Sequence, residues 1–282
     1  FQVKFRNEER PRFGLLRTNE FVTVDAYSFD TSPEALDKSC QAVRAAFGRV
    51  FDRLGLAYLA AEAETGPASH DGGGELLVPA QRGEHLVAHC LDCGYTAGLE
   101  RAEIGPLGTA PPDVPAEPLR QVDTPEATTI EQVSNMLGSK PTEMIKTLIY
   151  TADGKPIAVL VRGDHEASEA KVRRAVGARK LELASPDVIE RATGAPVGFA
   201  GPVGLKEHIP IWADRSVQPM RNAVTGANRA DAHFTGVNLE RDFQPQEYAD
   251  LRVALDGDPC PRCSSKLTIR RAIEVGRVAK LG

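Results

Sequence analysis

Two cysteine pairs carry the plainest chemistry in this sequence. Cys90 and Cys93 form one C-x-x-C, and Cys260 and Cys263 form another. Four thiolates in two such pairs suit a tetrahedral zinc ion, at about 2.3 Å per bond. About 170 residues lie between the pairs, which is long for a single zinc ribbon. An inserted domain removes that difficulty, because the ends of an insertion lie close together. The string "CPRC" has a proline inside its knuckle, a form common in zinc sites. Free thiols of an emptied site and a redox dithiol are the other readings. A second constellation is "FRNEERPRFGLLRTNEF", from Phe5 to Phe21, with four arginines and three glutamates around Phe13-Gly14-Leu15-Leu16. A surface ladder of ion pairs would contribute little stability. A polyanion site would use the same charges, because a guanidinium makes paired, charge-assisted bonds to phosphate or carboxylate.

Composition narrows the classes. The 282 residues suffice for one large domain or two ordinary ones. Hydrophobic residues make up 41% and charged ones 26%, as in a globular protein. A net charge of -5 and a pI near 5.8 argue against coating nucleic acid by bulk charge, and leave a local basic site open. No apolar run reaches the roughly 18 residues of a membrane span. No basic-then-apolar leader opens the chain. Without a secretory signal the cytosol is expected, where paired C-x-x-C motifs favour metal over disulfide. The chain starts at Phe1 and reads at once like the middle of a domain, so a fragment of a longer protein is expected.

The elements that must position these groups follow from pattern. Ser32 is an N-cap, Pro33 takes the first helical position, and Leu36, Cys40, Val43, Phe47, Val50, Phe51 and Leu54 recur at helical spacing up to Gly55. Cys40 on that face reads as core. Five prolines between 102 and 123 read as a linker. Thr128 to Glu131 reads as a capping box opening a helix that ends near Gly138. Thr147–Tyr150 and Ile157–Val161 flank Asp153-Gly154 as a hairpin. A polar helix is expected from Ala167, and another behind Ser185-Pro186. This alternation predicts a compact α/β domain over about 123–245. A strand, the second cysteine pair and a last strand follow.

On these residues the chain resembles a known family. "FRNE" with "FGLLRTNEF" is similar to motif 2 of class II aminoacyl-tRNA synthetases. The fuller string, with "DAYSF" and the late "RAIEVGRVAKLG", resembles prolyl-tRNA synthetases. "EMIKTLIY", "VLVRGDHE", "GFAGPVGL", "ADRSV", "GAN" and "HFTGVNLERDF" resemble the editing domain inserted into the bacterial type. The resemblance implies an α+β fold, with part of the class II antiparallel-sheet catalytic core over 1–122, the compact α/β editing insertion over 123–246, and a return to the core over 247–282. It implies activation of proline by ATP with Mg2+, transfer to tRNA(Pro), and hydrolysis of mischarged alanyl-tRNA(Pro). A homodimer is implied for the full-length protein. Free-standing editing hydrolase and non-catalytic zinc-containing RNA-binding module are the alternatives; the first leaves motif 2 unexplained, and the acidic charge disfavours the second.

Carried over residue by residue, Arg6 would hold the α-phosphate and the amino-acid carboxylate, and Glu8 would accept from the adenine side. Arg17 would belong to the second motif strand, and Phe21 would stack on adenine. Arg10 and Arg12 would reach pyrophosphate or the tRNA end. His70, between Ser69 and Asp71, would line the amino-acid pocket, although the glycines there are displaced to 72–74. Arg277 stands where the family has histidine. In the insertion, Lys146 would bind phosphate at the tRNA 3′ end. Gly198, Gly201 and Pro202 would close a backbone loop on the ester. His233 would sit near the aminoacyl group, and Asp164 and His165 are lesser candidates. Motif 1 and the motif 3 arginine have no match, so poor aminoacylation by this chain alone is expected.

Overall fold

The computed structural model describes residues 1–10, 14–62, 74–108 and 113–280. Arg12, Ser69, His70 and Asp71 lie outside the described residues. The chain divides into two compact units, one of Phe1–His89, Gly94–Gly98 and Ile269–Gly282, the other of Cys90–Cys93 and Leu99–Thr268. The second unit is therefore wider than the α/β domain of about 123–245 expected from the alternation of strands and helices.

The first unit opens with an antiparallel pair, β1 (Gln2–Phe5) and β2 (Glu20–Thr23), in which Phe5 faces Glu20. Helix α1 (Pro33–Arg53) follows, capped by the Ser32 side chain, which accepts from the Ala35 N–H. Its apolar face is only partly covered. Phe51 is buried, Cys40 is half-buried rather than core, and Val50 and Leu54 are exposed. Strands β3 (Leu59–Glu62), β4 (Gly74–Pro79), β5 (His85–Cys90) and β6 (Thr96–Gly98) come next.

The second unit contains β7 (Arg120–Asp123), α2 (Ile130–Leu137), β8 (Ile145–Ala152), β9 (Lys155–Arg162), α3 (Glu169–Val176), β10 (Leu181–Leu183), α4 (Pro186–Thr193), β11 (Ile211–Asp214), β12 (Ala223–Gly226), β13 (Ala232–Val237) and β14 (Glu247–Ala249). A last long strand, β15 (Leu267–Val278), joins β4, β3, β6 and β5 in a closed five-stranded barrel around Ala61, Leu77, Val87 and Ala272.

In the second unit a five-stranded sheet runs β10-β8-β9-β11-β14, with β8–β9 antiparallel and β9–β11–β14 parallel. The hairpin turns at Asp153-Gly154 as its sequence predicts. Ile157–Val161 is buried throughout, because both faces of β9 are covered. On one face Tyr150, Ile157 and Val159 meet Val172 of α3. On the other, Ile149 and Ala158 meet Ile189 and Ala192 of α4, while Ile145 and Leu160 meet Ala223 and Val237 of a second sheet, β12-β13-β7. The expected mixed α/β organisation with antiparallel sheets is what the chain adopts.

Two local readings need correction. Helix α2 is capped by Thr129, not Thr128: the Thr129 hydroxyl accepts from the Gln132 N–H while the Gln132 side chain accepts from the Thr129 N–H. Both Thr-x-x-Glu and Thr-x-x-Gln fit the capping pattern, and the frame that buries Val133 wins. The start of the proline-rich stretch is packed rather than a free linker. Ala102, Ile104 and Gly105 are buried, the Ile104 N–H donates to Asp250 at 2.9 Å, and the Gly105 N–H donates to the Pro259 carbonyl at 2.8 Å. Among the described residues no helix is long and apolar enough to cross a membrane.

Candidate functional site

The second unit holds a cavity of about 300 Å³ where β8, α2 and the β12-β13-β7 sheet converge. Lys146 and His233 both line it, together with Gly198, Ala200 and Gly226. Its walls are otherwise apolar or threonine side chains, with Ile130, Val133, Leu183, Ile189 and Val197 among them. Among the described residues, no serine, cysteine or carboxylate side chain is in the lining.

Lys146 is the second residue of β8, paired with Val161. Its ammonium donates to the His165 carbonyl at 2.9 Å and to the Glu166 carboxylate at 2.7 Å. His233 is the second residue of β13, facing Val122 on one side and Gly226 on the other. The His233 Nδ1 and the Thr124 hydroxyl share a hydrogen bond of 2.7 Å, and the ring meets Phe199 edge-on with centroids 5.7 Å apart. Burial alone pushes the His233 pKa down to about 4, so the ring is neutral at physiological pH. A ring that holds protons so weakly is a poor general base and a good fixed hydrogen-bonding group.

The Gly198–Pro202 loop forms one wall. Gly198 has φ +102, and a side chain there would strike Thr128, with its Cβ 2.6 Å from the Thr128 Cβ. At Gly201 a Cβ would lie 1.8 Å from the Gly226 carbonyl oxygen, so loop and strand are in backbone contact. Gly201 and Pro202 are buried and are not part of the lining; Gly198 and Ala200 are. His165 is not in the lining either. Its Nδ1 lies 3.2 Å from the Ser216 hydroxyl, its Nε2 3.0 Å from Arg162, and burial pushes its pKa down to about 4. Asp164 is engaged by Arg162 through two oxygens.

The four cysteines converge within the second unit. Their Sγ atoms all lie within 4.8 Å of one another, with Cys90 to Cys263 at 3.5 Å and Cys93 to Cys260 at 3.6 Å. A tetrahedron with bonds of about 2.3 Å has edges of about 3.8 Å, so the donor set fits zinc. Cys90 and Cys260 are buried, Cys93 and Cys263 exposed. The Arg262 N–H points at the Cys260 sulfur at 3.4 Å. The backbone N–H and then the hydroxyl of Ser265 pull the Cys263 thiol down to about 7, toward the thiolate a metal needs.

In the first unit Arg6, Glu8, Arg17 and Phe21 also come together. Arg6 lies over the Phe21 ring with its guanidinium carbon 5.0 Å from the centroid, and its Nε donates to the Thr18 carbonyl at 3.0 Å. Glu8 accepts from Arg17 at 3.1 Å and lies 3.8 Å from Arg6; Arg17 also reaches Glu84 at 2.7 Å. Arg17 lies three residues before β2, at a β-bridge position of its own. Arg277 pairs with Glu75 and lies 3.4 Å from Glu274.

Residues 124–243 match the aminoacyl-tRNA editing domain family. The whole chain is 48% identical to the proline–tRNA ligase of Geobacter metallireducens and 47% identical to that of Geobacter sulfurreducens. Across all of its residues this chain is similar to proline–tRNA ligases. A third ligase, from Oleidesulfovibrio alaskensis, is also 47% identical over 100% of the chain. The chain spans about half the length of these ligases, 49% in each case. The family match covers the cavity, Lys146 and His233, and ends before the second cysteine pair. Residues that sequence reasoning missed are Thr124, the partner of His233, and Asn228, whose amide grips the Gly201 loop. "GAN" contained Asn228, but nothing in the string showed where its side chain goes.

Proposed function

We propose that residues 124–243 hydrolyse alanyl-tRNA(Pro), and that the first unit supplies the motif 2 part of a class II site that activates proline with ATP. The observation that carries the editing reading is the cavity shared by Lys146 and His233 inside the matched domain. A pocket that accepts proline cannot exclude the smaller alanine, since each missing methylene is worth only about 1–3 kcal/mol. A second, hydrolytic site restores selectivity.

Lys146 meets a phosphate of the tRNA 3′ end, exchanging Glu166 for it. A compact ammonium suits that role. His233, neutral and fixed by Thr124, orients the aminoacyl end rather than removing a proton from water. Among the described residues, no lining side chain is a serine, cysteine or carboxylate nucleophile. Water therefore attacks the ester, helped by the free hydroxyl of the terminal ribose, and the loop backbone at Gly198 and Ala200 faces the carbonyl. The ester C–O bond breaks, one proton of the attacking water passes to the ribose oxygen, and alanine leaves as its carboxylate with the second proton released to solvent.

In the first unit Arg6 binds the α-phosphate and the carboxylate of proline, Glu8 and Phe21 meet adenine, and Arg17 steadies Glu8. Catalysis there is positioning plus charge stabilisation. Mg2+ enters with ATP. His70 belongs to the amino-acid pocket. Cys90, Cys93, Cys260 and Cys263 hold a structural zinc. The complete ligase works as a homodimer in the cytoplasm.

The test is deacylation of alanyl-tRNA(Pro) and prolyl-tRNA(Pro) by this chain, with Lys146→Ala beside it. Selective loss of alanine, reduced at least tenfold in Lys146→Ala, is the expected result. Full activity in Lys146→Ala would remove the phosphate role. Equal hydrolysis of both esters would remove the editing selectivity.

A further inference from the structure

Asn228 makes four hydrogen bonds to one loop. It lies between β12 and β13 with φ +54. Its backbone N–H donates to the Phe199 carbonyl at 3.0 Å. Its side-chain oxygen accepts from the Gly201 N–H at 2.8 Å. Its side-chain nitrogen donates to the Gly201 carbonyl at 3.0 Å and to the Val203 carbonyl at 2.8 Å. One amide thus uses an acceptor and both donors on backbone 25 to 27 residues away. The loop it grips is pressed against β12 at Gly201 and Gly226, and presents Gly198 and Ala200 to the cavity.

We propose that Asn228 is a positioning residue for hydrolysis: its amide staples residues 199–203 to the β12–β13 connection and so fixes the backbone that meets the ester. This rests on the editing function proposed above. The loop carries no helix or strand of its own, and the Gly201–Gly226 contact only limits how close the two backbones come. The amide bonds hold them there. A shift of about 1 Å at a reacting centre can cost about a hundredfold in rate.

Two variants test it. Asn228→Gly keeps the positive φ and the backbone bond to Phe199 while deleting the amide. Asn228→Asp keeps the acceptor for the Gly201 N–H but turns a carboxylate oxygen toward two carbonyls. For Asn228→Gly, kcat on alanyl-tRNA(Pro) should fall about 10- to 100-fold, with KM within about twofold, since the tRNA contacts stay in place. Exchange of the Gly201 amide hydrogen should speed up in the same protein, a readout that needs no activity. For Asn228→Asp, the rate relative to wild type should rise as pH falls and the carboxyl gains a proton to donate. Wild-type kcat in Asn228→Gly, or a pH-independent ratio for Asn228→Asp, would overturn the proposal. An inactive wild type with a protected Gly201 amide would instead overturn the editing function and leave the staple standing as structure alone.

Discussion

His233 and His165 are both buried, and burial holds each near pKa 4 against about 6.5 in an unfolded chain. For His165 the nearby Arg252 and Arg162 charges push the same way. Folding therefore requires both rings to stay neutral. Their contribution is fully present above about pH 6.5 and is lost as pH falls toward 4, because the unfolded chain takes up protons that the folded one refuses. Each ring accounts for on the order of 3 kcal/mol by the bottom of that window. Urea unfolding should show stability level above pH 6.5 and declining below it, with His165→Gln and His233→Gln each removing part of the slope. A decline unchanged in the double variant would assign it to other groups. At this scale the sequence was legible where a residue type carries its chemistry in itself. The cysteines stood out by type and spacing, whereas Lys146 and His233 stood out only through the motifs that resemble the editing domain; the two groups lie in two sites. Thr124 and Asn228 did not stand out, because a hydroxyl or amide acquires its role only from partners about a hundred residues away in one case and from backbone atoms in the other.

Periodicity and turn chemistry placed most elements. The β8–β9 hairpin, α1 and the starts of α3 and α4 lie where apolar spacing and capping residues put them, because those signals are local. The stretch after residue 102 was misread for the opposite reason. Its prolines are local, whereas the groups that hold it, Asp250 and Pro259, lie about 150 residues downstream. The cysteine knuckle is the element next to those contacts. Cys260 donates its N–H to the Ser265 carbonyl at 2.6 Å and accepts from Ser264 at 2.9 Å, closing a tight turn. Zinc held by four thiolates would lock this turn to Cys90 and Cys93, and metal affinity for the folded state adds directly to stability. Purified without chelator, the protein should contain one zinc per chain by elemental analysis. Stripping it should lower the melting temperature by a few degrees, about what 2–3 kcal/mol of linkage gives in a domain of this size. Cys260→Ser should bind no zinc and melt like the stripped protein. Zinc-free protein with an unchanged melting temperature would return the four thiols to an emptied site.

At the scale of the molecule, the second unit is held by buried charge that crosses the limits of the matched family. Lys171, 1% exposed on α3, donates to both oxygens of Asp250 at 2.8 and 3.0 Å and to the Arg252 carbonyl at 2.8 Å. Burial pushes the lysine pKa down and the aspartate pKa up, and their mutual attraction opposes both shifts. Arg252, 2% exposed, clamps Asp258 with two bonds of 2.7 and 2.5 Å. The Leu251 N–H donates to Asp214 at 2.9 Å, so the same short segment is fastened to β11. Composition shows none of this, since Lys171 sits in a helix that reads as polar and solvated. The family match stops at residue 243, yet Asp250, Arg252 and Asp258 lie beyond it. A truncated chain of residues 124–243 would therefore keep Lys171 and lose its partners. Removing one member of a buried pair costs about 3–5 kcal/mol, a large part of the roughly 5–15 kcal/mol that holds a whole domain. Residues 90–268, which retain the network and all four zinc-site cysteines, should unfold cooperatively in urea. Residues 124–243 should unfold at much lower urea or lack a cooperative transition, and Lys171→Met should restore part of the loss by replacing the stranded ammonium with an apolar chain. Equal midpoints for the two truncations would mean that water reaches Lys171 without the 250–258 segment, and that the ion network contributes little to holding the fold.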